Sequence, residues 1–151
     1  MINLKDYSNK KIAVLGLGTE NEALILWLAR QSLPLDLSIY DRREATLLGD
    51  KSEKINHLAS NLSIKWQLGR KSYRSLNDYD ELWRSPGWPI FCPQVQEAIR
   101  HGSYLNSPMN LFFEFCPTKN IIGVTGSKGK GTTASLIYDI LKLAGWPVFL
   151  G

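Results

Sequence analysis

A short β-branched run that ends in glycines and passes at once into a helix-period segment occurs twice in this chain. No other feature restricts its fold as much. The first unit is Lys11 to Leu15 (KIAVL), closed by Gly16-Leu17-Gly18 and followed by ENEALILWLARQ. The second is Asn120 to Thr125 (NIIGVT), closed by Gly126 to Thr133 (GSKGKGTT) and followed by ASLIYDILKLAG. A strand that feeds a helix is not one arm of a hairpin. The helix carries the chain back across the sheet, and the next strand lies parallel to the first. The rest of the sequence keeps that alternation. Leu35 to Tyr40 (LDLSIY) reads as a strand, residues 44–61 as a polar helical stretch, and residues 62–68 and 79–83 as two more strands. Residues 93–101 and 107–115 read as helices, the second opened by the capping serine Ser107 and Pro108, and residues 146–150 as a last strand. The expected class is α/β, built on a parallel sheet.

Size and charge then remove other classes. At 151 residues the chain suits one domain, or one domain and part of a second, and 44% hydrophobic with 21% charged residues is ordinary globular usage. No run reaches the roughly 18 to 20 apolar residues of a membrane span, so no membrane partner is expected. The polar start, MINLKDYSNKK, has no signal-peptide core, which points to the cytoplasm. Cys92 and Cys116 lie far apart with no histidine at metal-binding spacing, so both read as reduced thiols. The net charge of +4 is confined to the second part of the chain: residues 1–60 carry eight basic and eight acidic side chains, residues 61–151 ten and six. That bias fits a phosphate-bearing ligand. Without a Lys/Arg-rich run interleaved with aromatics, no nucleic acid is expected.

The two glycine turns carry the chemistry. The first follows a strand and opens a helix, the context of a dinucleotide fingerprint, and Asp41 ends the second strand roughly twenty residues later, the spacing of a ribose-binding acid. Two departures weaken that reading. Asn21 stands where the third glycine belongs, and Glu20 places negative charge where a diphosphate needs positive potential. The second turn is a phosphate cradle. Gly126, Gly129 and Gly131 let backbone N–H groups converge on phosphate oxygens, Ser127 and Lys128 complete the loop, and Lys130 meets the β- and γ-phosphates. A hydroxyl of Thr132 or Thr133 is placed to hold Mg²⁺.

The string Gly123 to Thr133 (GVTGSKGKGTT) resembles the ATP loop of the Mur ligase family, and its GKGT resembles the variant in folylpolyglutamate-type ligases of the same superfamily. KIAVLGLG near the start and Ser85-Pro86-Gly87 after a later strand resemble the branch that joins D-glutamate to UDP-N-acetylmuramoyl-L-alanine. The resemblance implies a Rossmann-like UDP-sugar-binding domain over residues 1–105, then the beginning of a P-loop ATPase-type α/β domain over residues 106–151. It implies that Gly18 and Thr19 approach the UDP diphosphate, that Asp41 and Arg43 hold the uracil end, and that Gly87 lies beside the same nucleotide. It further implies ATP and Mg²⁺ as cofactors, Lys130 as the catalytic phosphate ligand, Thr132 as the metal ligand, and residues 126–133 as the ATP loop. The implied reaction activates a substrate carboxylate with ATP so that the amine of D-glutamate can attack it. The chain is then expected to be an N-terminal portion, inactive as a ligase by itself. Two readings from other classes stand beside it: a nicotinamide-dependent oxidoreductase domain, resting on the first glycine turn, and a non-catalytic nucleotide-binding module.

Overall fold

The computed structural model describes residues 4–31, 34–69 and 75–151, and these divide into two compact units, residues 1–116 and 117–151. The first unit is a five-stranded, wholly parallel sheet in the order β3-β2-β1-β4-β5. Its strands are β1 (Lys11–Leu15), β2 (Asp36–Asp41), β3 (Ser63–Leu68), β4 (Glu81–Arg84) and β5 (Tyr104–Asn106). The helices are α1 (Thr19–Ala29), α2 (Ala45–Leu48), α3 (Asp50–Leu58), α4 (Pro93–Arg100) and α5 (Pro108–Phe115).

Because successive strand residues face opposite sides, each strand supplies two cores. Ile12, Val14, Leu37, Ile39 and Trp83 pack on one side with Leu24, Ile25 and Leu28 of α1, Ile55 of α3 and Leu111 of α5. On the other, Ala13, Leu15, Tyr40 and Leu82 pack with Val95 and Ala98 of α4. β1 is covered on both faces, which is why it is apolar at consecutive positions. Among the described residues, no helix is long and apolar enough to cross a membrane.

Three differences from the sequence reading are local. The polar helical stretch breaks at Gly49, whose φ of 55° no helix accommodates, into α2 and α3. β4 begins two residues later than expected, and the short β5 carried too little apolar pattern to be read as a strand. α5 starts as expected, with the Ser107 hydroxyl accepting from the Asn110 N–H at 3.1 Å. Its Leu111 is buried, and Phe115 stacks edge-on to Tyr7. α5 therefore belongs to the first unit, and the division falls after Cys116, whereas the sequence reading placed it after residue 105.

The second unit contains one regular element, α6 (Lys130–Leu143). The strands expected at residues 120–125 and 146–150 do not form: both segments lack sheet pairing. A strand exists only through a partner. Within this unit each could pair only with the other, and a two-stranded parallel pair cannot bury its own faces. Ile122, Trp146 and Phe149 accordingly stay exposed. α6 also starts earlier than the sequence suggested, so Lys130 to Thr133 form its first turn.

Candidate functional site

In the first unit β1 is flanked by β2 on one side and β4 on the other. The chain leaves β1 in one direction and later returns to build in the other. A parallel sheet opens a crevice at the carboxyl ends of its strands at such a reversal. The segments that emerge there are Gly16-Leu17-Gly18 from β1 and Ser85-Pro86-Gly87 from β4. They touch: a Cβ on Gly16 would lie 2.5 Å from the Ser85 hydroxyl, and one on Gly18 would lie 3.8 Å from Ser85 Cβ. Gly16 also has φ 83°, so no other residue suits both its conformation and its neighbour. Gly18 is the N-cap of α1 and, lacking a side chain, leaves the first-turn N–H groups uncapped. Thr19 and Gly87 are exposed.

Asp41, at the end of β2, closes the third side. One carboxylate oxygen accepts the Leu17 N–H at 2.8 Å and Arg43 Nη2 at 2.8 Å, and the other accepts Arg43 N and Nε, both at 2.9 Å. Arg43 Nη2 also donates to Leu17 O at 2.9 Å. Leu17, the central residue of the glycine turn, is thus held at both its N–H and its C=O by one ion pair. Burial raises the Asp41 carboxyl, but the hydrogen bonds from Arg43 and Leu17 outweigh it and hold the group below the usual carboxylate range. The same pairing raises the Arg43 guanidinium.

Several contributors were not recognised in the sequence. Asn21 is fully buried, and its amide donates to Gly16 O at 2.7 Å, with Leu15 O and Trp83 O each at 3.4 Å. It braces the turn against the end of β4, which is why an asparagine can replace the expected glycine. Arg84 Nη1 donates to Ser85 O, Pro86 O and Trp88 O, pinning the SPG loop. Trp88 packs against Gly16, and the Arg42 guanidinium lies 5.4 Å from its ring centre. The available signal was position: Trp88 follows SPG directly, and Arg42 follows Asp41. Of the two acids at the start of α1, Glu22 is paired with Lys51 and Lys54 at 2.9 and 3.1 Å, while Glu20 is exposed.

The second glycine turn, in the second unit, has the features of an anion cradle. Gly129 caps α6 in the left-handed conformation at φ 76°, with no side chain capping the N–H groups of the first turn. Lys130 folds back so that Nζ donates to Gly126 O at 2.7 Å, over the loop. Gly126, Ser127, Lys128, Gly131, Thr132 and Thr133 are all exposed. Uncapped helix N–H groups, a lysine over the loop and two first-turn hydroxyls fit a nucleoside triphosphate and its magnesium ion. A cavity of about 270 Å³ on the α4 side of the sheet, lined by Lys11, Asp36, Ser38, Lys65, Gln67 and Tyr79 among others, includes none of the predicted site residues.

Residues 10–106 match the family model described as Mur ligase MurD-like, N-terminal domain. The UDP-N-acetylmuramoylalanine–D-glutamate ligase of Clostridium acetobutylicum is 37% identical over 148 residues, 98% of this chain and 31% of that protein. The ligase of the same name from Acetivibrio thermocellus is 37% identical over 147 residues, 97% of this chain and 30% of that protein. The chain thus spans about a third of the length of these curated relatives. A solved lactate dehydrogenase from Eimeria maxima aligns over 88% of this chain and 48% of its own, at 18% identity and a TM-score of 0.45, too distant to carry an argument.

Proposed function

Since the chain belongs to the Mur ligase family, with an N-terminal domain of the MurD-like type, we propose that it is the substrate-binding portion of an ATP-dependent ligase. That ligase adds D-glutamate to UDP-N-acetylmuramoyl-L-alanine in the cytoplasm, in the synthesis of peptidoglycan precursors. Residues 1–116 take the UDP-linked substrate and residues 117–151 begin the ATP-binding region. Gly18 and Thr19 offer backbone N–H groups to the diphosphate at the uncapped start of α1, and Gly87 lets the SPG loop approach without a side chain. Asp41 and Arg43 fix the turn, and Arg43, with 42% of its side-chain surface exposed, borders the uracil end.

The observation that carries this reading over a nicotinamide enzyme is the state of Asp41. A dinucleotide-binding acid offers its oxygens to ribose hydroxyls. Here both oxygens already accept two hydrogen bonds each from Leu17 and Arg43, which fills a carboxylate's acceptor capacity. The other glycine turn supports the ATP half. ATP and Mg²⁺, when bound, supply the phosphoryl group and neutralise its charge. Lys130 binds phosphate oxygens, the glycine loop orients them, and Thr132 offers its hydroxyl to the metal.

The test is calorimetric titration of the 151-residue chain with UDP-N-acetylmuramoyl-L-alanine and with NAD⁺ and NADP⁺. Tighter binding of the UDP-sugar is expected, and a clear preference for a nicotinamide dinucleotide overturns the reading. In the complete ligase, Lys130→Ala should abolish ATP turnover while leaving the fold intact. Unchanged turnover removes Lys130 from the site.

A further inference from the structure

A parallel sheet ordinarily buries both faces under helices, and its strands are then apolar on both sides. On the α4 side this sheet departs from that rule along its β2–β3 half. The core there joins β1, β2 and β4 to α4, and among the described residues β3 adds nothing to it. In step with Tyr40, β2 instead sets Asp36 and Ser38 on that side, and β3 sets Lys65 and Gln67 beside them. These side chains, with Lys11 and Asp78, line the cavity of about 270 Å³. Lys11 and Asp36 are the first residues of their strands, so the cavity lies toward the amino ends of β1 and β2, away from the glycine turn.

Ser38 is the telling residue. It is only 7% exposed, yet its hydroxyl bonds to no described residue and lines the cavity. A buried hydroxyl without a partner is costly, and a ligand would supply the missing partner. The charges around it are balanced, Lys11 and Lys65 against Asp36 and Asp78. Lys65 Nζ lies 4.0 Å from Asp36 Oδ2, with side chains 67% and 60% exposed, a pair that contributes little. Lys11 and Asp78 have no ion-pair partner among the described residues. A lone anion entering here would meet the two aspartates, and a lone cation the two lysines. A molecule carrying both charges meets its complement for each.

We propose that this cavity binds a small zwitterion of no net charge, a neutral α-amino acid, at a site separate from the glycine turn. Lys11 and Lys65 take its carboxylate, which also accepts the Ser38 hydroxyl, and Asp36 and Asp78 take its ammonium. The volume is just below the roughly 300 to 1,000 Å³ of drug-sized ligand cavities, which suits a molecule much smaller than a UDP-sugar. The proposal does not depend on what the glycine turn binds.

The test is amide NMR of the isotope-labelled 151-residue chain, titrated with L-alanine. Acetate and ethylamine serve as single-charge probes, and D-glutamate as a net anion. L-alanine at millimolar concentrations should shift the amides of Ser38 and Lys65 saturably and leave those of Gly16 to Gly18 in place. The other three probes should bind there at least about tenfold more weakly, since each lacks one charge or carries one in excess. Lys65→Gln should weaken L-alanine at least about tenfold and Ser38→Ala about threefold to tenfold, as for one charge-assisted and one neutral hydrogen bond. Ser38→Ala should also resist urea as well as the unaltered chain or better, because the hydroxyl has no partner in the fold. A loss of stability would make that hydroxyl structural and overturn the proposal. So would amides unmoved by L-alanine at tens of millimolar, acetate or D-glutamate binding as tightly as L-alanine, or unchanged binding in both variants.

Discussion

Replacing Asp41 with alanine tests the ion pair that shapes the glycine turn. The perturbation removes the acceptor of the buried Leu17 N–H, a bond of 2.8 Å. An orphaned buried donor costs about 1 to 3 kcal/mol. The Arg43 pairing adds little, because its side chain keeps 42% of its surface in solvent and exposed ion pairs are worth roughly 0 to 1 kcal/mol. The expected loss is therefore about 1 to 4 kcal/mol for Asp41→Ala. Asp41→Asn keeps an oxygen for Leu17 and gives up the charge, so about 1 kcal/mol is expected. Since the folded Asp41 carboxyl lies below its unfolded value of roughly 3.9, its stabilisation is present above that pH and fades as pH falls through the folded value. Urea unfolding followed by tryptophan emission is the assay, because Trp83 and Trp88 are buried in the first unit. The gap between wild type and Asp41→Asn should be open at neutral pH and closed in strong acid. An Asp41→Ala protein within about 0.5 kcal/mol of wild type, the scatter of an ordinary surface substitution, refutes the reasoning.

Gly16→Ala should lower stability by about 1 to 3 kcal/mol through its positive φ and its approach to the Ser85 hydroxyl, measured by thermal unfolding. A neutral result would mean the turn relaxes freely. Ser107→Ala should cost about 1 kcal/mol in urea unfolding, since it removes the cap from α5. In hydrogen exchange, the amide of Val14, in a strand paired on both edges, should be protected at least about a hundredfold more than that of Val124, which has no sheet partner. Equal protection would show that residues 117–151 fold as firmly as the sheet.

What the sequence determined by itself was local. β1, β2 and β3 lie within a residue of the ranges read from the sequence: β1 is apolar at successive positions because it is buried on both faces, whereas the edge strand β3 shows only alternation of apolar and polar residues. The caps of α4 and α5 and both glycine turns fall where proline, serine and glycine place them, because those residues act through their own φ and ψ. The two turns were legible as candidate phosphate-binding turns for the same reason: a strand-like run, a glycine loop and a helix start are neighbours along the chain.

The tertiary structure decided everything that depends on which distant segment lies alongside. Ser85 meets Gly16 only because β4 pairs with β1, and Asp41 reaches Leu17 only because β2 pairs with its other edge. Asn21 read as damage to a fingerprint and proved to be a brace, since its role is set by the carbonyls of Gly16 and Trp83, which the sequence does not align with it. Arg42 and Arg43 are adjacent and chemically identical, and only the positions of Asp41 and Trp88 distinguish them. The run at residues 120–125 has every local property of a strand and is none, because strand pairing and burial are relations between segments, and no pattern within one segment can supply the other.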